Sequence, residues 1–223
     1  MGYCTRMLAC AALLLALLAS PCLCFQTRLV MASDPSPLNP LVVNSPEVSR
    51  IFFAELGGSP EYYTLCSDEA FTLSARILVP DMPEYGGKRI SVNITDSYGQ
   101  LLFMLDSGQA EWEEFHEPFG DDYYLRGPGI VKYVPPGNYT LSVFSDDNSG
   151  RYAMVIGSRE ELPAEEIVNT LLSTPQIKRD FFGKGLQESF MNYSGLFFSI
   201  AIFIIAISSF FIIKFSWKKI ERK

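Results

Sequence analysis

The sequence predicts a mainly β protein: an antiparallel β-sandwich of jelly-roll type, a short amphipathic helix and one transmembrane helix. Short runs in which apolar and polar residues alternate recur through the middle of the chain, separated by turn-forming residues. Such runs form strands with one buried face, and their close spacing leaves no room for long helices between them. Near the carboxyl end, residues 195–213 form an uncharged run of 19 residues. That length is enough to cross the hydrocarbon core of a bilayer.

The amino end has the form of a secretory signal peptide. Arg6 is its one charged residue, an apolar run covers residues 7–19, and small residues lead to a cleavage site after Cys24. Cleavage near Ala19 is the alternative. Residues 1–24 are therefore predicted to be a signal peptide, which makes the remainder an exported protein.

A Pro-rich linker and then the sandwich are predicted to follow. Residues 25–45 are rich in Pro, Ser and Asn and show neither the strand nor the helix period. Residues 46–158 contain the alternating runs, and about six to eight short strands of this kind can enclose one core. The clearest alternating positions are Phe71, Leu73, Ala75, Ile77 and Val79, then Ile90, Val92 and Ile94, then Tyr139, Leu141 and Val143, and finally Tyr152, Met154 and Ile156.

Residues 159–194 are predicted to form a helical juxtamembrane neck. Residues 158–161 have the spacing of a capping box. Ile167 with Leu171, and Val168 with Leu172, make an apolar stripe four residues apart. We expect Pro175 to end this helix, because proline removes a backbone donor and clashes with the preceding turn.

The carboxyl end predicts a single-pass protein of type I, with its amino-terminal domain extracellular or luminal. Residues 195–213 form the transmembrane helix, and residues 214–223 carry five Lys and Arg residues against one Glu. An excess of positive charge beside a span marks the cytoplasmic side. Membrane lipid is therefore the first predicted partner, contacted through the transmembrane helix.

The remaining exterior is strongly acidic. Residues 25–194 contain 12 Lys and Arg residues against 24 Asp and Glu residues, a net charge of −12. This balance argues against nucleic acid as a partner, because nucleic-acid binding depends on positive charge facing the phosphates. It permits a cation or a basic partner.

Candidate binding residues concentrate between residues 111 and 129, which we predict to be a long loop. The segment reads EWEEFHEPFGDDYYLRGPG and contains the one histidine of the chain. Aromatic and acidic side chains on a loop of a rigid sandwich are typical of binding sites. The alternative is structural, with Trp112, Phe115 and Phe119 covering an open end of the sandwich. The candidate binding residues are Trp112, Glu113, Phe115, His116, Asp121 and Asp122.

A calcium site is the one cofactor hypothesis that the sequence offers. Asp121, Asp122, Asp146 and Asp147 can supply the oxygens that calcium prefers, if the fold brings the two pairs together. Neither pair has EF-hand spacing, and a single histidine argues against a zinc site built on histidines. The chain also contains no G-x-S-x-G motif, which argues against that class of hydrolase. We predict a protein that is not an enzyme.

Three triplets match the acceptor pattern for N-glycosylation, at Asn93, Asn138 and Asn192. Asn93 and Asn138 fall on the polar side of their strands, so they are the predicted glycosylation sites. Asn192 lies close to the predicted membrane. Cys66 is the single cysteine that remains after cleavage at Cys24, and it is either buried or paired with another chain.

The closing hairpin, residues 134–143 (VPPGNYTLSV) and 150–157 (GRYAMVIG), resembles the end of bacterial pre-peptidase C-terminal (PPC-like) sandwich domains. That resemblance implies a non-catalytic binding or accessory module, in some cases one that carries calcium. The order of signal, sandwich, neck, span and tail is also similar to that of p24-type cargo receptors. The single Cys66 departs from the cysteine pair of those receptors.

Together these observations predict a membrane-anchored, outward-facing and non-catalytic binding module whose partner is a protein or a glycan. One alternative is an exported hydrolase or an accessory enzyme subunit that uses residues 111–129. The other is a p24-like trafficking receptor.

Overall fold

The computed structural model describes residues 26–31, 35–85, 87–118, 120–161 and 163–190, with ten further residues between 195 and 210. The predicted signal peptide and the tail at 214–223 lie outside the described residues, as do Asn192 and much of the predicted span. No helix among the described residues is both long enough and apolar enough to cross a bilayer.

The described chain forms eleven strands and two helices. The strands are β1 (Gln26–Leu29), β2 (Leu41–Asn44), β3 (Arg50–Gly57), β4 (Glu61–Ser67), β5 (Phe71–Pro80), β6 (Ser91–Thr95), β7 (Leu101–Leu105), β8 (Glu113–Glu117), β9 (Asp122–Val134), β10 (Gly137–Phe144) and β11 (Ser149–Ile156). The helices are α1 (Ala164–Asp180) and α2 (Leu186–Phe190).

These strands form two sheets packed face to face, so the predicted mainly β, sandwich-like fold is confirmed. Sheet 1 has the order β1-β3-β11-β5-β9-β8, and sheet 2 has the order β2-β4-β10-β6-β7. The expectation of purely antiparallel sheets is wrong, because β1 pairs with β3 and β2 with β4 in parallel. Both sheets are mixed.

The stretch at 25–45 that we predicted to be a linker supplies β1 and β2. Each of these strands is four residues long and lies at the edge of its sheet. A strand of four residues is too short to show a period, which is why the sequence pattern missed both strands.

The core lies between the sheets and is built from the alternating residues that the sequence singled out. Leu73, Ile77, Ile94, Leu141 and Met154 are all completely buried there. The core also holds a polar network in which the hydroxyls of Tyr63 and Tyr152 lie 2.8 Å apart. The Tyr152 hydroxyl donates to the carboxylate of Glu61, and burial raises the pKa of both tyrosines.

A second apolar cluster lies on the outer face of sheet 1, where α1 covers it. Phe181 is completely buried and makes edge-to-face contacts with Phe53 and Phe182, with ring centroids 5.0 Å apart in each pair. Phe182 makes a similar contact with Tyr124 of β9. Because aromatic rings bury large areas, this cluster fixes the helix on the sheet.

The sequence-based prediction for α1 is wrong in two respects. The helix continues through Pro175 to Asp180, and Pro163 stands at its N-cap without a side-chain cap. Two residues of the predicted stripe also face outward, since Val168 and Leu172 are 53% and 65% exposed. The buried face carries Thr170, Thr174, Ile177, Lys178 and Phe181 instead.

Strand register defines two ends of the sandwich. The groove end is where Phe71 of β5 lies opposite Val134 of β9. The hairpin end is where Pro80 lies opposite Tyr124, next to the β8–β9 turn. α1 follows β11 at the groove end and runs back along sheet 1. Because Lys178 contacts Gly120 of the β8–β9 turn, the chain leaves the sandwich at the hairpin end.

Candidate functional site

The predicted loop at 111–129 is largely a β-hairpin. β8 pairs with the first part of β9, with Glu113 opposite Arg126 and Glu117 opposite Asp122. β8 extends sheet 1 by one strand and is its outermost member. The expectation of an irregular loop is therefore wrong, because three glutamates in β8 conceal the alternation by which strands are recognised.

Trp112 and Phe115 both pack against apolar clusters, on opposite sides of sheet 1. The indole N–H of Trp112 donates to the carbonyl of Ser107 at 3.1 Å, and its ring packs against the core between the sheets. A Cβ atom at Gly127 would lie 2.5 Å from that ring, so only glycine fits beneath it. Phe115 packs on the outer side of sheet 1 with the Arg126 guanidinium 4.2 Å above its ring. Phe119 lies outside the described residues.

His116 and Asp121 lie together at the exposed tip of the hairpin. The His116 Nε2 atom and the Asp121 Oδ1 atom are 2.8 Å apart, and the imidazole stacks on Tyr123 with ring centroids 4.6 Å apart. This hydrogen bond lowers the pKa of Asp121. Asp121 has a φ of 56°, a left-handed conformation that aspartate tolerates in turns. Glu113 is also exposed, but it lies at the other end of β8.

Asp122, by contrast, is buried and ties the hairpin to α1. The Lys178 Nζ atom lies 2.5 Å from its Oδ2 atom, and Lys184 Nζ lies 2.8 Å from its Oδ1 atom. The Lys178 and Asp122 side chains are 1% and 5% exposed. Burial lowers the pKa of Lys178 and outweighs the opposing effect of Asp122. Lys178 also donates to the carbonyl of Gly120, so its ammonium connects three elements of the hairpin end.

The second pair of candidate calcium ligands lies in the β10–β11 turn. Asp147 accepts a hydrogen bond from Lys88 at 2.6 Å and others from Ser145 and Ser149. Lys88, the largest cause, together with these hydroxyls lowers the pKa of Asp147. Asp146 lies beside it without an ion pair in the described structure.

The four aspartates are therefore on two separate turns, and a lysine ammonium faces one carboxylate of each pair. Within the residues that the structure describes, no three His, Cys, Asp or Glu side chains are grouped so that they could hold a metal ion. The calcium hypothesis gains no support from this arrangement.

The two candidate glycosylation sites lie on the outer face of sheet 2. Asn138 is exposed, whereas Asn93 is half-buried between Ser142 and Met104. The Oδ1 atom of Asn93 is buried and has no hydrogen-bond partner in the described structure. Glycosylation at either residue stays a prediction.

A groove of about 660 Å³ at the opposite end of the sandwich was missed by the sequence analysis. It lies between the β2–β3 and β4–β5 connections, beside Tyr133 of β9 and the half-buried Cys66. Arg159 forms its wall and pairs with Glu47 at 3.1 Å. Asp68 and Glu69 are exposed on its rim without ion pairs among the described residues. Its lining comes from residues 44–47, 66–72, 133 and 158–159, which are distant in sequence, so no local motif marks it.

Comparison with known proteins gives a weak resemblance to PPC-like domains. No protein-family model and no curated protein sequence matches the chain. The pre-peptidase C-terminal domain of a collagenase from Bacillus anthracis is 12% identical, with a TM-score of 0.34, over 52% of this chain and 91% of that chain.

Two other solved structures are similar at the same level. CorA, a surface-associated copper-binding protein of Methylomicrobium album, is 5% identical with a TM-score of 0.29, over 54% of this chain and 98% of that chain. A β-glucosidase from Paenibacillus barengoltzii is 13% identical with a TM-score of 0.27, over 58% of this chain and 13% of that chain.

Proposed function

We propose that this chain is a membrane-anchored, outward-facing and non-catalytic binding module, and that it presents the groove end to a protein or glycan partner. The observation that carries the proposal is the path of the chain. α1 returns along sheet 1, so the chain leaves toward residues 195–213 at the hairpin end, opposite the groove. An anchor at that end leaves the groove end facing away from the bilayer.

The chemistry of the groove suits a polar partner. Asp68 and Glu69 offer carboxylates that are not neutralised within the described structure, and Tyr133 offers an exposed aromatic ring beside them. Carboxylates and an exposed ring together can bind either the hydroxyls and apolar face of a sugar or a basic peptide.

The test uses the full chain in lipid nanodiscs, applied to a glycan array and to an array of basic peptides. Asp68→Lys with Glu69→Lys is compared with Glu113→Lys with Glu114→Lys, which makes the same charge change at the hairpin. We expect the groove variant to weaken the strongest interaction by about tenfold or more and the hairpin variant to change it little. Loss in the hairpin variant alone would contradict the proposal.

The orientation of the domain relative to the membrane can be tested separately. Protease added outside intact cells should degrade the domain formed by residues 26–190 and leave the tail at 214–223 protected. Protection of the whole domain would contradict an outward-facing module. Equal degradation after the cells are permeabilised is the control for protease access.

The enzyme alternative is supported by one observation, the exposed pair of His116 and Asp121. A carboxylate that orients an imidazole is one component of general acid–base catalysis. Screening the full chain and its His116→Gln variant against glycoside and ester substrates tests it. Turnover that depends on His116 would replace the binding proposal with the exported hydrolase.

A further inference from the structure

The half of β9 nearest the groove end has a strand neighbour on one side only. β9 pairs with β5 from Tyr124 to Val134, whereas β8 pairs with β9 only from Asp122 to Arg126. In an antiparallel ladder, every second residue directs its N–H and C=O away from its neighbour. Residues 129–133 form no backbone hydrogen bond outside the β5 ladder in the described structure. We call these five residues the β9 edge.

The position of Trp112 accounts for the end of β8 at this point. Trp112 directly precedes Glu113, the first residue of β8, and its ring lies against Gly127 of β9. Pro128, the next residue of β9, lacks an N–H and cannot donate to a neighbouring strand. Beyond Pro128 the edge has ordinary backbone donors and acceptors again.

The β9 edge carries exposed apolar side chains on the outer side of sheet 1, while β7 of sheet 2 contacts β9 from the side of the core. Val131 and Tyr133 are 63% and 76% exposed. Both lie on the outer side of sheet 1, opposite Ser74 and Thr72 of β5. An exposed apolar edge of this kind is a template for strand addition, which proteins otherwise block with charges or coverage. Here β8 is blocked by its glutamates and β1 by α1.

β9 and β5 contribute positive charge along the β9 edge, whereas Asp68 and Glu69 line the groove beside Tyr133 at one end of it. Between Tyr123 and Val134, β9 contains Arg126 and Lys132 and no acidic residue. β5, the neighbouring strand, contributes Arg76 and no acidic residue. The Arg76 guanidinium lies beside Gly129, at one end of the edge. Arg76 lies on the outer side with Val131 and Tyr133 and donates to the Gly127 carbonyl at 3.1 Å, so Lys132 is the cation on the other side of the edge.

We infer that the β9 edge accepts an extended segment of a separate polypeptide as an additional strand of sheet 1, and that this segment alternates apolar and acidic residues. Its apolar residues contact Val131 and Tyr133 on the outer side, and its acidic residues face Lys132 on the other side. Main-chain hydrogen bonds supply affinity, and the alternating side chains supply specificity. The β9 edge shares Tyr133 with the groove, whereas the inference does not depend on the anchor.

A second copy of this chain is a poorer occupant. An antiparallel pair of two β9 edges brings two copies of Lys132 together. Like charges facing each other across neighbouring strands are unfavourable. The charge therefore selects a partner with acidic residues.

The test measures peptide binding to the full chain in nanodiscs by fluorescence anisotropy. The probes are ten-residue peptides that alternate Val, Ile or Tyr with Asp or Glu. One control set has the same residues in two blocks, and another has Lys in place of the acids. We expect the alternating acidic peptides to bind at least about tenfold more tightly than either control set. N-methylation of alternate amides on one edge of the peptide that binds most tightly should weaken its binding by a similar factor.

Two matched variants locate the site. Val131→Asp places a carboxylate in the β9 edge, and Met104→Asp places one at a similarly exposed residue of β7. We expect Val131→Asp to raise Kd about tenfold or more and Met104→Asp to change it less than about twofold. Thermal melting of both variants checks that each is folded.

Three results would overturn the inference. One is equal binding of the alternating and block peptides, and another is equal loss in the two variants. The third is a dimer in light scattering that Val131→Asp dissociates, which would assign the edge to a second copy.

Discussion

The two outer faces of the sandwich differ in what covers them. The outer face of sheet 1 is apolar and lies beneath α1, with Phe53, Tyr124 and Phe181 buried at the contact. The outer face of sheet 2 carries small polar residues such as Thr64, Thr140 and Ser142, and no described helix packs on it.

The strands themselves explain this difference. β10 alternates strictly, with Tyr139, Leu141 and Val143 buried and polar residues between them. β3 and β5 instead contain continuous buried runs, at residues 51–54 and 77–80. A strand that is apolar on both faces needs a layer on each side, whereas an alternating strand needs only one. The alternation pattern therefore indicates which sheet receives the helix.

The largest expected effect on stability is at the outer face of sheet 1, which α1 covers. Phe181→Ala removes a completely buried ring from the contact between α1 and sheet 1. We expect it to lower the free energy of unfolding by about 3 to 5 kcal/mol. Urea unfolding of the full chain in detergent, followed by far-UV circular dichroism, measures this change. Ser142→Ala on the outer face of sheet 2 is the control, with an expected change within about 0.5 kcal/mol. Similar values for the two would remove the distinction between the faces.

The next effect concerns the ion pair that fastens the covering helix. Lys178→Met leaves Asp122 buried with Lys184 as its only cation in the described structure. We expect a loss of about 3 kcal/mol, because a buried charge that loses its partner is costly. Adding Asp122→Asn should restore much of the loss, since it removes the uncompensated charge. No recovery in the double variant would show that Lys178 stabilises the protein by packing alone.

A smaller effect should appear on acidification. Arg28 forms two hydrogen bonds of 2.8 Å with Glu166 of α1, and these lower the pKa of Glu166 from its usual value of 4.5. The contribution is fully present above pH 4.5 and is lost as the pH falls through the lowered pKa in the folded protein. We expect it to be about 1 kcal/mol, because both side chains contact water. The free energies of unfolding of the wild type and of Glu166→Gln, plotted against pH, should converge at low pH. A constant difference between the two plots would contradict this.

The smallest expected effect on stability is at the outer face of sheet 2. Asn93→Val removes a buried amide oxygen that has no partner, at a strand position where a β-branched residue is favoured. We expect no loss, or a gain of up to about 1 kcal/mol, when the protein is made without glycosylation. Asn138→Val is the matched control, because that side chain is exposed and should respond less. A clear loss at Asn93 would indicate a hydrogen bond to water or to a ligand there.

Much of the fold could be predicted from the sequence, but the candidate sites could not. The period of two located β5, β6, β10 and β11, because one-sided burial is visible within a few residues. β8 was missed because its charged residues obscure that period. The sequence analysis named Trp112, Phe115 and Asp122 as candidate binding residues, whereas the fold places all three in internal contacts.

The sequence by itself determined the inner faces of the strands, the acidic exterior and the sandwich-like fold. The tertiary structure decided the mixed pairing of β1 and β2, the continuation of α1 past Pro175, the burial of Lys178 against Asp122, and the groove. The physical reason is the separation along the chain of the residues that interact. Periodicity reports burial within about ten residues, whereas partners such as Lys178 and Asp122 are distant in the chain and meet only when the helix packs on the sheet.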